Sequence, residues 1–414
     1  MEAFEKIDPP KEGNLITVKD AGLVVPSDPI VCFIEGDGVG PEITKPTLHV
    51  LDKAVQKAYG GMRKIIWLRV YAGQEAMSEY GEPLPADTVE ALRHYRIALK
   101  GPLETPVGRG LRSLNVTIRQ ALSLYACVRP VRYLPGVPSP VKHPERVDMV
   151  VFRENMEDVY AGIEWQEGSQ EALKVIDFLN NEMGTHIPED SGLGVKPISV
   201  RGTKALVRAA LDYAVAKKRK SVTLVTKGNI MKFTEGAFRA WGYEVAREEY
   251  GDEIITEQDL LDRFEGQAPE GKIVVKDRLA DNMLQQVLLY PEQYDVIATP
   301  NLNGDYLSDA LAAQVGGLGM ASGANLGDHM GVFEATHGTA PDIAGRGIVN
   351  PTALILSGEL LLEYLGWPEA ARIIHKALEA AIITKQVPRD LALQMEDATE
   401  LSTEEFGRAI LKNM

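Results

Sequence analysis

Cysteine is nearly missing from this 414-residue chain, which contains only two, Cys32 and Cys127. Each lies in an apolar, strand-like run (IVCFIEG and YACVRPV) with no Cys or His at ligand spacing. That pattern argues against a disulfide framework or redox role and reads both as small core residues in a reducing compartment. Positive charge is also short: 44 Lys and Arg face 59 Asp and Glu, a net charge of −15. A nucleic-acid partner is therefore not expected, because a phosphate backbone requires a basic face; a local arginine cluster can still bind a small anion. No apolar run is long enough to span a bilayer, and the opening MEAFEKIDPPKEGN has no apolar core of the kind a signal peptide carries. No membrane partner and a cytoplasmic location are the resulting expectations. Internal repeats and low-complexity tracts are missing as well.

Strand-like runs alternate with helical patterns almost throughout, which predicts an α/β fold with much parallel sheet, and the length predicts two domains or one large unit. Strands are expected at IVCFI, KIIWLRV, IALKG and SVTLVT, and helices from about Pro41 to Ala58 and after Lys232. The segment from Tyr125 to Val151 holds five prolines and reads as a domain crossing. An insertion follows from about 160 to 199, with a helix over EALKVIDFLNNEM. Past Gly316 the chain reads as loop-rich before three closing helical segments. EGDGVGPE, starting at Glu35, lies between a strand and a helix, but its spacing does not match G-x-G-x-x-G; it reads as a tight turn requiring positive φ.

Three constellations carry chemistry. Asp305 and Asp309 are one helical turn apart and can present two hard carboxylates to a divalent cation, with Asp281 upstream, although such pairs are often just a solvated helix face. Ser113, Asn115 and Arg119 cluster in SLNVTIRQ, where Ser113 also reads as a helix N-cap. Arg129 and Arg153 interrupt apolar runs in which an unpaired guanidinium would be costly, so the three arginines point to a substrate with two or three carboxylates. Tyr160 and Lys227 supply possible proton chemistry. In EATHGTAPDIAGRGIVNP, His337 and its glycines, with Asn350 downstream, offer a surface for a flat heterocycle and linked phosphates.

With these pieces assembled, IEGDGVGPE, KGPLETPVGRGLRSLN, VFRENMEDVYAGIEW, KGNIMKFTEGAF, NLNGDYLSDALAAQVGGLG and FEATHGTAPD resemble the bacterial isocitrate dehydrogenases of the β-decarboxylating dehydrogenase (isocitrate/isopropylmalate dehydrogenase) family over essentially the full length. The resemblance implies that family's fold, which is not a classical Rossmann fold. A large domain would comprise 1–124 and 317–414, a small one 125–159 and 200–316, with 160–199 as a clasp in a homodimer. It implies oxidative decarboxylation of isocitrate to 2-oxoglutarate, as in the tricarboxylic acid cycle, with Mg²⁺ or Mn²⁺. Ser113, Asn115, Arg119, Arg129 and Arg153 would hold substrate, while Asp305 and Asp309 would ligate metal with Asp281 of the partner subunit. Tyr160, and Lys227 reaching across the dimer, would handle protons. Glu104, Thr105, His337, Gly338, Thr339, Ala340, Asp342, Ile343 and Asn350 would face the dinucleotide.

NADP-dependent members of the family carry Lys and Tyr after HGTAP, where this chain has Asp342 and Ile343. Arg389 and Leu393 align with a later phosphate-binding pair, and Tyr290 replaces an Arg. Two like charges about 4 Å apart at an effective dielectric near 20 cost roughly 4 kcal/mol, so Asp342 predicts NAD as the cofactor. Glu104 stands where many relatives have Thr. Ser113 matches a serine whose phosphorylation inactivates bacterial relatives. A sister activity on isopropylmalate, homoisocitrate or tartrate and a non-catalytic regulatory subunit are the alternatives. Ser113 and Asn115 favour isocitrate, since an isopropyl group calls for an apolar wall.

Overall fold

The computed structural model describes residues 4–20, 22–104 and 113–414. Its framework is one eleven-stranded sheet. From one edge to the other the strands are Ile254–Thr256, Ile273–Leu279, Ser221–Thr226, Val296–Thr299, Asp148–Glu154, Ala126–Arg132, Ser322–Gly327, Met330–Ala335, Ile97–Lys100, Ile30–Ile34 and Ile66–Arg69. The first five are mutually parallel, as are the last four, while the joins around Ala126–Arg132 and Ser322–Gly327 are antiparallel. The two parallel blocks therefore run in opposite directions and meet at the middle, the kind of switch in strand order where α/β sheets open a crevice. A doubly wound dinucleotide fold has no such arrangement.

Strands within the blocks are largely buried because helices cover both faces; all six residues of Ser221–Thr226 are buried. The strands read from sequence lie at Ile30–Ile34, Ile66–Arg69, Ile97–Lys100 and Ser221–Thr226, and the long first helix spans Gly40–Tyr59. The expected insertion helix is Gln170–Glu182, capped by the Ser169 hydroxyl and flanked by a small two-stranded sheet, Glu164–Trp165 with Leu193–Gly194. No helix among the described residues is long and apolar enough to cross a membrane.

One expectation fails at the centre of the molecule. The stretch after Gly316 is not mainly loop: Ser322–Gly327 and Met330–Ala335 form an antiparallel hairpin in the middle of the sheet. Its glycines conceal strand character because they are selected for close approach, not for β propensity. A Cβ on Gly327 would lie 2.6 Å from the Ser123 carbonyl oxygen.

Candidate functional site

The junction of the two blocks brings most of the singled-out residues together. Strand register sets Arg153 opposite Cys127, and Cys127 opposite Asn325. Beside them Glu334 pairs with Gly323 on one side and Lys100 on the other. Charges on these central strands must find partners, because an isolated buried charge is prohibitive. Glu334 meets both Lys100 Nζ, at 2.5 Å, and Arg119 Nη2, at 2.9 Å, and accepts from Asn325 Nδ2 at 2.7 Å. Burial alone would raise the Glu334 carboxyl's pKa, but the two cations outweigh it and hold the group far below the usual carboxylate range. Lys100 Nζ also donates to Asn115 Oδ1 at 2.9 Å. Lys100 and Glu334 escaped the sequence reading as site residues. The signal that exposed Arg129 and Arg153, a charge inside an apolar run, is present in IALKG and VFEA too.

On the other side of the junction, helix Asn301–Gln314 presents Asp305 and Asp309 to the arginines. Arg129 Nη1 lies 3.7 Å from Asp305 Oδ1 and 3.4 Å from Asp309 Oδ1, and donates to Ser308 Oγ at 2.5 Å. Arg153, only 2% exposed, pairs closely with Asp305, donates from Nε to Asn301 Oδ1 at 2.9 Å and sits 4.8 Å over the Tyr160 ring. The helix approaches that closely because residue 304 is glycine; a Cβ there would lie 2.7 Å from Arg153 Cβ. Tyr160 donates its hydroxyl to Asp305 Oδ2 at 2.8 Å. Partial burial, then this carboxylate, push the Tyr160 pKa up. Desolvation raises that of Asp309; for Asp305 desolvation is again the largest single effect, but the Arg153 and Arg129 charges and the Tyr160 hydroxyl together outweigh it and lower the pKa. Both carboxylates thus converge on one positive group, Arg129, the geometry a hard divalent cation needs from its first two oxygen ligands. Among the described residues no third acid, His or Cys joins them. Ser113 stands at the N-cap position of helix Leu114–Ala121 without a side-chain capping bond to it, and its carbonyl accepts from the Thr117 amide at 3.0 Å.

A cavity of about 370 Å³ opens beside this cluster, lined by Asn115, Arg119, Arg129, Glu104 and the His337–Thr339 loop among others. Burial lowers the His337 pKa, so the ring is neutral near pH 7, and its buried Nε2 has no partner among the described residues. An unpaired ring nitrogen and open glycine backbone beside a cavity fit a flat heterocycle with polar edges. The EGDGVGPE turn supports this loop: Gly36 and Gly38 have φ of 85° and 59°, and the Val39 amide donates to the Thr339 carbonyl at 3.0 Å. A Cβ on Gly38 would lie 2.2 Å from that oxygen. Asp37 holds the amides of Gln74 and Glu104 at 2.7 and 2.8 Å, and Gln74 Nε2 donates to Glu104 at 2.5 Å. Beyond the loop, Ala340 is left-handed, Asp342 and Ile343 lie on the single turn Pro341–Ile343, and Asn350 is buried against Asp390 at 3.1 Å. Thr105 lies outside the described residues.

Lys227 and Asp281 do not join the cluster within the chain. They bind each other at 2.8 Å on an exposed rim, and Tyr290 follows at the end of the helix that starts beside Asp281. Leu393 is exposed, and Arg389 pairs with Glu400 at 3.1 Å.

The family model for isocitrate/isopropylmalate dehydrogenase matches residues 30–410. Isocitrate dehydrogenase [NADP] of Archaeoglobus fulgidus is 57% identical over 99% of both chains. The enzyme of the same name from Pseudomonas aeruginosa is 56% identical over 99% of this chain and 100% of its own, and that of Coxiella burnetii 56% over 99% and 97%. Among solved structures, isocitrate dehydrogenase from Methylococcus capsulatus superposes with a TM-score of 0.77 at 37% identity, covering 93% of this chain and 99% of that one. These relatives overturn the expectation of NAD, since full-length proteins this similar are named for NADP. The charge argument failed in its premise: it set Asp342 about 4 Å from a phosphate at an effective dielectric near 20, whereas Asp342 is exposed, where water and salt screen a charge over about 8 Å. By sequence over its whole length and by fold, the chain belongs to the isocitrate/isopropylmalate dehydrogenase family.

Proposed function

We propose that the protein is an isocitrate dehydrogenase, converting isocitrate and NADP⁺ to 2-oxoglutarate, CO₂ and NADPH in homodimers whose active sites draw on both chains. One observation carries this reading: Arg119, Arg129 and Tyr160 converge with Asp305 and Asp309 beside a cavity flanked by the His337–Thr339 loop. Arg119 and Arg129, with Asn115 and Ser113, would bind the substrate carboxylates, and guanidinium forks suit that task. Arg153 lies behind Asp305 and orients both that carboxylate and the Tyr160 ring. Asp305 and Asp309, with Asp281 of the partner subunit, would hold Mg²⁺ or Mn²⁺, which when bound would supply Lewis-acid chemistry. Tyr160 keeps its proton near neutral pH and so suits donation to the carbon that loses CO₂. Lys227 would serve the hydroxyl proton at the partner's site. A dinucleotide against His337, Gly338, Thr339 and Asn350 supplies the hydride acceptor.

The dimer is supported by the surface around Lys227 and Asp281. Phe233 is 92% exposed and Ile230 69% in the Lys227 loop, and Leu284, Leu288 and Leu289 line the exposed side of helix Ala280–Leu289. Such an apolar patch around a charged pair calls for a protein cover. Phe178 and Met183 are likewise exposed on 160–199, the proposed dimer clasp, which is inserted in the small domain of 125–159 and 200–316; 1–124 and 317–414 form the proposed large domain.

With isocitrate and Mn²⁺, kcat/KM is expected to be higher for NADP than for NAD, and 3-isopropylmalate to give no turnover. Preference for NAD, or for 3-isopropylmalate, contradicts the proposal. Asp342→Asn is expected to raise kcat/KM for NADP severalfold, since it removes a like charge near the phosphate.

A further inference from the structure

Glu235 opens helix Glu235–Glu249 and is fully buried, yet nothing in the proposed chemistry uses it. A carboxylate is retained in such a place only if it is well paired. It accepts a close hydrogen bond from the Lys227 amide and another from Asn303 Nδ2 at 2.8 Å, and forms an ion pair with Lys196 Nζ at 2.9 Å. Asn303 stands two residues before Asp305 on the same helix. Lys196 in turn pairs closely with Asp158, itself 1% exposed and held at a φ of 67°, a conformation disfavoured for any residue but glycine. The second Asp158 oxygen accepts from the Leu302 amide at 2.9 Å, so this acid satisfies the N-terminus of the helix carrying Asp305 and Asp309. Tyr160 follows Asp158 by two residues.

We infer that Glu235 is a positioning residue that fixes Lys227, through its backbone amide, to the loop and helix that carry Tyr160 and Asp305. The inference rests on the proposed reading in which Tyr160 acts in its own chain's site and Lys227 in the partner's. Under it, each chain locks the proton groups of two active sites into one buried network. Glu235 touches neither substrate nor cofactor; its bonds to Asn303 and Lys196 are the anchor from which it holds Lys227.

The test is a double-mutant cycle in the full-length enzyme, with isocitrate, Mn²⁺ and NADP. Glu235→Gln is expected to lower kcat about 10- to 100-fold while KM for isocitrate stays within about threefold, since misplacing a reacting group by about 1 Å costs this much and the arginines that bind substrate are untouched. In a Lys227→Met background the same change is expected to cost less than about threefold, because the group it positions is gone. Hydrogen exchange gives a reading independent of turnover: Glu235→Gln speeds exchange at 227–234 and leaves the strand 221–226 protected. Lys196→Met, on the more exposed side of the network, lowers kcat in the same direction, and Lys196→Arg restores it. Equal losses from Glu235→Gln with and without Lys227, or unchanged exchange at 227–234, overturn the inference. A Lys227→Met variant with normal kcat overturns the reading of Lys227 itself, and the inference with it.

Discussion

Tyr160→Phe is expected to lower kcat for isocitrate oxidation by about 10² to 10⁴, the usual contribution of a positioned general acid, while KM for isocitrate changes little. The change deletes one oxygen and leaves the ring, so the stacking on Arg153 survives. Asp305 loses the hydroxyl at 2.8 Å but keeps its close pairing with Arg153, so the acidic cluster stays in place. Binding depends on Arg119 and Arg129 and should persist, which puts the loss in kcat. Steady-state kinetics at saturating Mn²⁺ measure this. An equal rise in KM with kcat unchanged would mean that Tyr160 binds substrate and does not transfer a proton.

Glu334→Gln is expected to destabilise the fold by about 3–5 kcal/mol, because it leaves two buried cations sharing an uncharged partner. Lys100 is 2% exposed and Arg119 is largely covered, so water cannot replace the carboxylate. The pH dependence follows from the sign of the shift. Lys100 and Arg119 hold the folded-state pKa of Glu334 well below that of an unfolded glutamate, about 4.3. The stabilisation is therefore complete above about pH 4.3 and is lost progressively as pH falls towards the folded value. Urea unfolding of wild type from about pH 6 down to about pH 2 should show this acid-sensitive component below about pH 4.3, and the variant should lack it. A variant as stable as wild type at pH 7 would show that the charges are solvated in solution.

The sequence was most legible where a residue contradicts its surroundings. Arg129 and Arg153 lie within apolar runs, and the structure pairs both with Asp305 at the sheet junction. The parallel strands were readable because burial on both faces leaves an unbroken apolar run, as in SVTLVT. The central hairpin was not, because close backbone approach placed glycine where β-branched residues normally mark a strand. Lys100 and Glu334 were passed over because the partners that pair with them lie far away in the chain; Arg119 and Glu334 are separated by 215 residues. Asp342 shows the opposite error. Its charge was legible, but how strongly that charge acts depends on exposure, which residue type alone does not give.

Mixing two inactive variants tests the shared active site most directly. If Tyr160 serves its own chain's site and Lys227 the partner's, a dimer of one Tyr160→Phe chain and one Lys227→Met chain has one intact site and one doubly defective site. After joint refolding, statistical pairing should recover about a quarter of wild-type NADP-dependent isocitrate oxidation, whereas each variant alone stays inactive. No recovery in demonstrably mixed dimers would place both residues in the site of a single chain and contradict the account.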